Sequence, residues 1–395
     1  MSSRALGWAA AAFLAVFAAL ALWPALGALV GQDPRAGGVD LQSRLREVQL
    51  IWSHSSPYLD MQSASVYPPA TYIALGPMGW MSYGALKWVW ALSALLGLGW
   101  LGVSLGRQGP PALMPVAWVL PFAVSGVAYG LQNGQLHVHV TVAVLFGSLL
   151  LIQREGRWGT DLLGAVLLLF ALAKPTLAAP FVVLLAALPG RRRPLLLVLG
   201  GYLLATAAGL LLIGDGLQPL AHWFVDARGS VAFGSSGSYG NLHALTEWLG
   251  LQHANTVSSV SALGLLLVWG LALPADGDVD RLWLRLGLVA VFARIFAYHQ
   301  DYDDAVLVLT LGGLLTVCRR GSRTEGRVAL GLVATMAGLH LLPRDALGLD
   351  QPGPGWLGTL RVGAWLLAAA LLWRSQGQRA GYPAREEAAS EGGRG

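Results

Sequence analysis

Cysteine is nearly absent. Cys318 is the single one in 395 residues, so no disulfide forms within the chain and thiol redox chemistry has no internal partner. Charge is scarce as well. Asp, Glu, Lys and Arg make up 12% of the residues, about half the share usual in a soluble domain. That composition excludes a water-soluble enzyme, a disordered chain and a disulfide scaffold. Lysine is rarer still, with only Lys87 and Lys174 against 24 arginines, a bias that reflects base composition and says little about function. Soluble-enzyme motifs are missing too: there is no P-loop, no dinucleotide fingerprint after a strand and no zinc-type spacing.

What the chain does have is apolar length. Residues of the AVILMFWYC set make up 55%, and 51 glycines come on top. Runs of about 15 to 25 apolar residues recur from end to end, which predicts a polytopic, all-α integral membrane protein. The net charge of +5 comes from basic residues scattered singly rather than gathered on one face, so nucleic acid is not the implied partner. Met1 to Val30 carries Arg4 and then an apolar stretch of about 25 residues, longer than the core of a cleaved signal. It reads as an uncleaved first span.

The predicted spans are Leu6–Val30, Gly84–Leu105, Ala112–Tyr129, Leu136–Ile152, Asp161–Ala173, Thr176–Leu188, Pro194–Ile213, Val257–Leu273, Leu282–Ala297, Ala305–Cys318, Val328–Leu342 and Trp356–Trp373, about twelve crossings. With the N-terminus inside, seventeen basic residues fall on the inner side and five on the outer. Such a bias predicts a multi-pass protein of the cell membrane with both termini cytoplasmic. Asp161 to Leu188 is read as two short helices broken at Lys174-Pro175, because one long helix would place Arg191, Arg192 and Arg193 outside, and proline disfavours helix at the residue before it. Tyr67 to Leu105 is too long for one crossing; its Pro- and Gly-rich first part lies at the outer interface or dips in and returns. One membrane domain, 1–375, then carries two long outer loops, 31–71 and 214–256, ahead of a disordered cytoplasmic tail, 376–395. Bulk outside and short basic loops inside place any chemistry on the outer face.

Polar groups at membrane depth are costly and therefore candidates for function. Asp40 follows the first span near the membrane surface, where it fits either a general base for a hydroxyl or a helix N-terminal acid; Glu47 is a weaker alternative. Tyr67-Pro68-Pro69 suits a helix entry. Gln132-Asn133-Gly134-Gln135 is an amide-rich turn, able to bind sugar hydroxyls or to satisfy helix ends. Lys174 sits at the broken helix as a functional cation or a snorkelling side chain. Arg294, Tyr298, His299, Asp301, Tyr302, Asp303 and Asp304 crowd one helix junction, as a binding group or a solvated turn. His137 and His139, two apart on a helix, make a poor metal pair and read as interfacial histidines.

In this order, Asp40, Pro57-Tyr58, Tyr67-Pro68-Pro69, Gly134-Gln135, Lys174-Pro175, Gly240-Asn241, Tyr298-His299 and Tyr302-Asp303 resemble the polytopic glycosyltransferase family 87. Characterised relatives there include polyprenyl-phosphomannose-dependent mannosyltransferases of the cell envelope. Two positions depart from the family pattern: His137 in place of an asparagine, and Leu242-His243 in place of a more polar pair. The resemblance implies a GT-C fold and inverting transfer of a mannose-like sugar from a polyprenyl phosphate carrier to a lipid or glycan acceptor, with Asp40 as base. It further implies sugar or acceptor binding by Tyr67, Gln135, Asn241, Tyr302 and Asp303. Chemistry adds Lys174, Arg294 and His299 as cations for the donor phosphate. No cofactor is expected, although Asp301 and Asp303 offer carboxylates to a divalent metal. A transporter or flippase of lipid-linked sugars is the alternative, and a purely structural envelope partner is a third option. Transport requires polar residues along the inner halves of several spans, which are nearly all apolar here.

Overall fold

Helix α1, Ser3–Val30, starts where the Ser2 hydroxyl accepts the Ala5 N–H. Its buried stripe alternates small and large residues: Ala11, Leu14, Ala18, Leu22, Ala25 and Leu29. These positions are three and four apart, so they share one face. The opposite face exposes Phe13, Val16, Leu20 and Trp23. Large apolar groups turned outward are what lipid permits, while small residues inward allow helices to approach closely.

The computed structural model describes residues 2–31, 37–59, 65–153, 157–187, 192–233, 255–273, 277–296, 301–341 and 356–376. All regular structure among the described residues is helical. After α1 come α2 (Val39–Trp52), α3 (Pro69–Ala74), a 3-10 helix at Gly76–Trp80, and α4 (Tyr83–Gly106). They are followed by α5 (Met114–Ala123), α6 (Ser125–Asn133), α7 (His137–Gln153), α8 (Trp158–Ala171), α9 (Pro175–Ala187) and α10 (Arg192–Ile213). The chain continues through α11 (Gln218–Phe233), α12 (Asn255–Ala272), α13 (Val279–Phe296), a 3-10 helix at Asp301–Leu307, α14 (Val308–Arg320), α15 (Arg323–Leu341) and α16 (Trp356–Gln376).

Three described helices, α1, α4 and α10, are long and apolar enough to cross a bilayer, and the bent pair α5–α6 makes a fourth. The expected span Ala112–Tyr129 is thus two helices, bent by 42°. Pro121 has no N–H to give back along α5, and Val124 at the junction is extended. The break expected at Lys174-Pro175 is present between α8 and α9, which have 14 and 13 residues. Each rises about 20 Å, short of a hydrocarbon core of about 30 Å. The expected twelve crossings therefore correspond to a few full-length apolar helices and several shorter pieces.

The two long loops are not plain loops. Within 31–71 lies α2, whose buried Leu41, Leu45, Val48 and Ile51 form a helical stripe; its charged residues hid that periodicity. Within 214–256 lies α11, from which Trp223 Nε1 donates to the Val66 carbonyl at 3.0 Å. The tail from 377 onward falls outside the described residues.

Ion pairs fix the two ends of the bundle. At one end, Arg319 Nη2 donates to Asp280 Oδ1 at 2.6 Å and its Nη1 to the Arg107 carbonyl at 3.3 Å. This joins the end of α4, the start of α13 and the end of α14. Likewise Arg193 meets Asp161 at 3.1 Å, joining the starts of α8 and α10. Following each helix away from these contacts leads to a common opposite end, formed by the α1–α2 junction, the α6–α7 turn, the α8–α9 break and the 3-10 helix before α14.

Candidate active site

At that opposite end, segments far apart in sequence dock in pairs. The Gly38 N–H donates to the Gln132 carbonyl at 2.7 Å, and the Tyr83 hydroxyl donates to the Gly38 carbonyl at 2.9 Å. Gly38 has φ +72°, a left-handed backbone that suits glycine, and it turns the chain directly into α2. Asp40 then falls in the first turn of α2 and remains half-buried. Gln135 Nε2 donates to Asp40 Oδ2 at 2.5 Å.

A second docking involves the proline segment. The Tyr58 hydroxyl donates to the Tyr67 carbonyl at 2.8 Å, and Pro68-Pro69 start α3, as a proline in the first turn can. From α3, the buried Thr71 Oγ1 donates to the Ala173 carbonyl at 3.0 Å. Breaking a helix frees carbonyls that must find donors elsewhere, and Thr71 supplies one. Lys174, next in the chain, is 6% exposed. Its Nζ donates to Asp303 Oδ1, and it stands over the Tyr302 ring at 4.6 Å. Tyr302 in turn stacks on Tyr129 at 5.9 Å. Both Asp40 and Tyr67 lie within electrostatic reach of Lys174. Asp40, Tyr67, Gln135, Lys174, Tyr302 and Asp303 are therefore one group.

Asp303 and Asp304 are neighbours in a 3-10 helix, where successive side chains diverge by about 120°. While Asp303 faces Lys174, Asp304 faces Arg294, which is fully buried and also lies over Trp365 at 5.1 Å. His340 Nδ1 is 3.2 Å from Asp304 Oδ2, and Trp365 Nε1 donates to His340 Nε2 at 3.2 Å. Arg294 thus belongs to a buried knot tying α13, α15 and α16, rather than to an open phosphate site. Asn241 and His299 lie outside the described residues.

Two further side chains enter the group. On α2, Arg44 is one turn beyond Asp40 and Glu47 nearly two, on the same face. Arg44 Nη1 lies 2.5 Å from Glu47 Oε2, and the guanidinium covers the Tyr67 ring at 4.4 Å. Burial pushes the Glu47 carboxyl up to about 7, with Arg44 opposing that rise. Arg44 looks like a loose outer charge in the sequence; its i, i+3 spacing to Glu47 was the available signal. The two histidines have different surroundings. His137 is fully buried with its ring 6.1 Å from that of Tyr302, while His139 bonds Ser93 at 2.8 Å and packs on Trp90. Among the described residues no three His, Cys, Asp or Glu side chains gather as a metal site.

A bundle that turns large apolar groups outward and gathers a carboxylate, an amide and a paired ammonium at one end is a helical membrane protein with a polar site at its rim. The model of glycosyltransferase family 87 matches residues 66–318, well over half of the chain, and the chain belongs to that family of membrane glycosyltransferases. No curated protein and no solved structure matches it. The match includes Tyr67, Gln135, Lys174, Tyr302 and Asp303. It begins after Asp40, which is tied to the matched region by its hydrogen bond to Gln135.

Proposed function

We propose that this chain transfers a mannose-like sugar from a polyprenyl phosphate carrier to a lipid or glycan acceptor at the outer face of the cell membrane, with inversion. The observation that carries this reading is the gathering of Asp40, bonded to Gln135, and Lys174, paired with Asp303, at the end of the bundle opposite Arg107, Arg319 and Arg320. Arginines favour the cytoplasmic side, so this polar group faces outward and both termini face the cytoplasm. Nucleotide sugars are cytoplasmic, whereas a flipped lipid-linked sugar reaches an outer site.

In the reaction the acceptor oxygen attacks the anomeric carbon from the face opposite the carrier. As the new C–O bond forms, the bond from the anomeric carbon to the carrier phosphate oxygen breaks. Asp40 takes the acceptor proton. The phosphodiester carries one negative charge and the departing phosphate develops a second, so a nearby cation favours the transition state over the ground state. Lys174 supplies that charge. Asp303 holds one N–H of the ammonium and Tyr302 covers it, leaving its remaining donors for the phosphate. Tyr67 and Tyr302, under Arg44 and Lys174, line the site for the sugar, and Tyr129 backs Tyr302. Arg294, held by Asp304, supports the fold in this reading, and Asn241 and His299 remain assigned to the sugar and the phosphate.

The test uses the purified full-length protein with labelled polyprenyl-phosphomannose and a panel of lipid acceptors. Labelled glycolipid should form with the wild type and not with Asp40→Asn, while the two proteins insert and unfold alike. Near-wild-type turnover by Asp40→Asn would remove the base assignment. Absence of product from any lipid-linked donor would remove the donor assignment.

A further inference from the structure

The α6–α7 turn does more than offer an amide to a ligand. Gly134 has φ +73° and ends α6, with its N–H on the Leu131 carbonyl at 3.0 Å and the Gln135 N–H on the Gly130 carbonyl at 2.8 Å. That pair of bonds is a Schellman cap, which fixes the Cα of Gln135 with little freedom. The same cap is welded to α2. Gly38 bonds the Gln132 carbonyl, and Leu41 lies where a Cβ on Gly134 would stand. The start of α2 and the base of the Gln135 side chain are therefore parts of one rigid unit.

Within that unit Gln135 is 6% exposed, and its Nε2 is committed to Asp40 Oδ2. The orientation of the amide follows from charge. An ionised carboxylate accepts only, so the NH2 end must face it. A side chain this enclosed, with one amide N–H already on Asp40, presents little surface to a sugar.

We propose that Gln135 is a positioning residue for Asp40: it clamps Oδ2, fixes the carboxylate plane and leaves Oδ1 to receive the acceptor proton. This rests on Asp40 being the base. Gln135→Asn retains the amide but is one methylene too short to reach. Gln135→Glu keeps the shape and replaces the donor by a group that repels Asp40.

The experiment measures kcat and KM for donor and acceptor, with thermal unfolding as a check on folding, for wild type, Gln135→Asn, Gln135→Glu and Asp40→Asn. The purified proteins are assayed with polyprenyl-phosphomannose and a lipid acceptor. Gln135→Asn should lose about tenfold to a hundredfold in kcat, the worth of one charge-assisted hydrogen bond, with both KM values within about twofold of wild type. Gln135→Glu, which sets a like charge against Asp40, should lose more kcat than Gln135→Asn. A raised KM with kcat retained, or an unchanged kcat in the well-folded Gln135→Glu protein, would overturn the clamp while leaving the base assignment standing. Full turnover by Asp40→Asn would remove both.

Discussion

Thr71 Oγ1 donates to the carbonyl of Ala173 at 3.0 Å, across 102 residues of sequence, and both groups are buried. This bond closes the α8–α9 break and holds Lys174 at the rim. Thr71→Val keeps the shape and leaves the carbonyl without that donor. We expect a loss of about 1–3 kcal/mol of stability, read as a lower unfolding temperature in detergent. The KM for lipid-linked donor should rise in the same variant.

Lys174 and Asp303 form a buried pair, so removing one charge strands the other. Lys174→Met should cost about 3–5 kcal/mol. Pairing it with Asp303→Leu should restore most of that stability and none of the transferase activity. Thermal unfolding and turnover measured on the single and double variants separate the two effects. Recovery of activity in the double variant would show that the cation is not used.

Gly134 combines a left-handed backbone with close contact to Leu41. Gly134→Ala adds about 1–2 kcal/mol of backbone strain before any clash. It should therefore lower the unfolding temperature and kcat together, whereas the clamp variants of Gln135 lower kcat alone.

Glu47 gives the protein a pH dependence. It lies on α2, which is not among the helices long and apolar enough to cross a bilayer. Burial raises its carboxyl from the ordinary 4.5 to about 7, so the folded protein holds this proton more tightly than the unfolded chain. The stability it contributes is fully present below about pH 4.5 and is lost as pH rises through about 7, up to about 3 kcal/mol in all. Unfolding measured between these limits should show that slope in the wild type and lose it in Glu47→Gln.

Much of the site was legible as parts. Proline after Lys174 announces the break, the left-handed glycines announce turns, and a carboxylate after an apolar span stands out in so uncharged a chain. The partners were not legible. Asp303 and Asp304 are adjacent and chemically identical, yet one serves Lys174 and the other Arg294. Their divergence comes from a 3-10 helix that no periodicity betrayed. Arg44 and Glu47 looked like loop charges because α2 is amphipathic in a region otherwise read as loop.

By itself the sequence determined that this is a helical membrane protein, since runs of apolar residues cannot be hidden from water in any other way. It also determined the break after Lys174, because proline acts on its own backbone, though not the bend inside Ala112–Tyr129. Only the tertiary structure decided which polar groups meet. Hydrogen bonds and ion pairs depend on distances set by helix packing, and Asp40, Gln135, Lys174 and Asp303 are joined by no local rule of the chain.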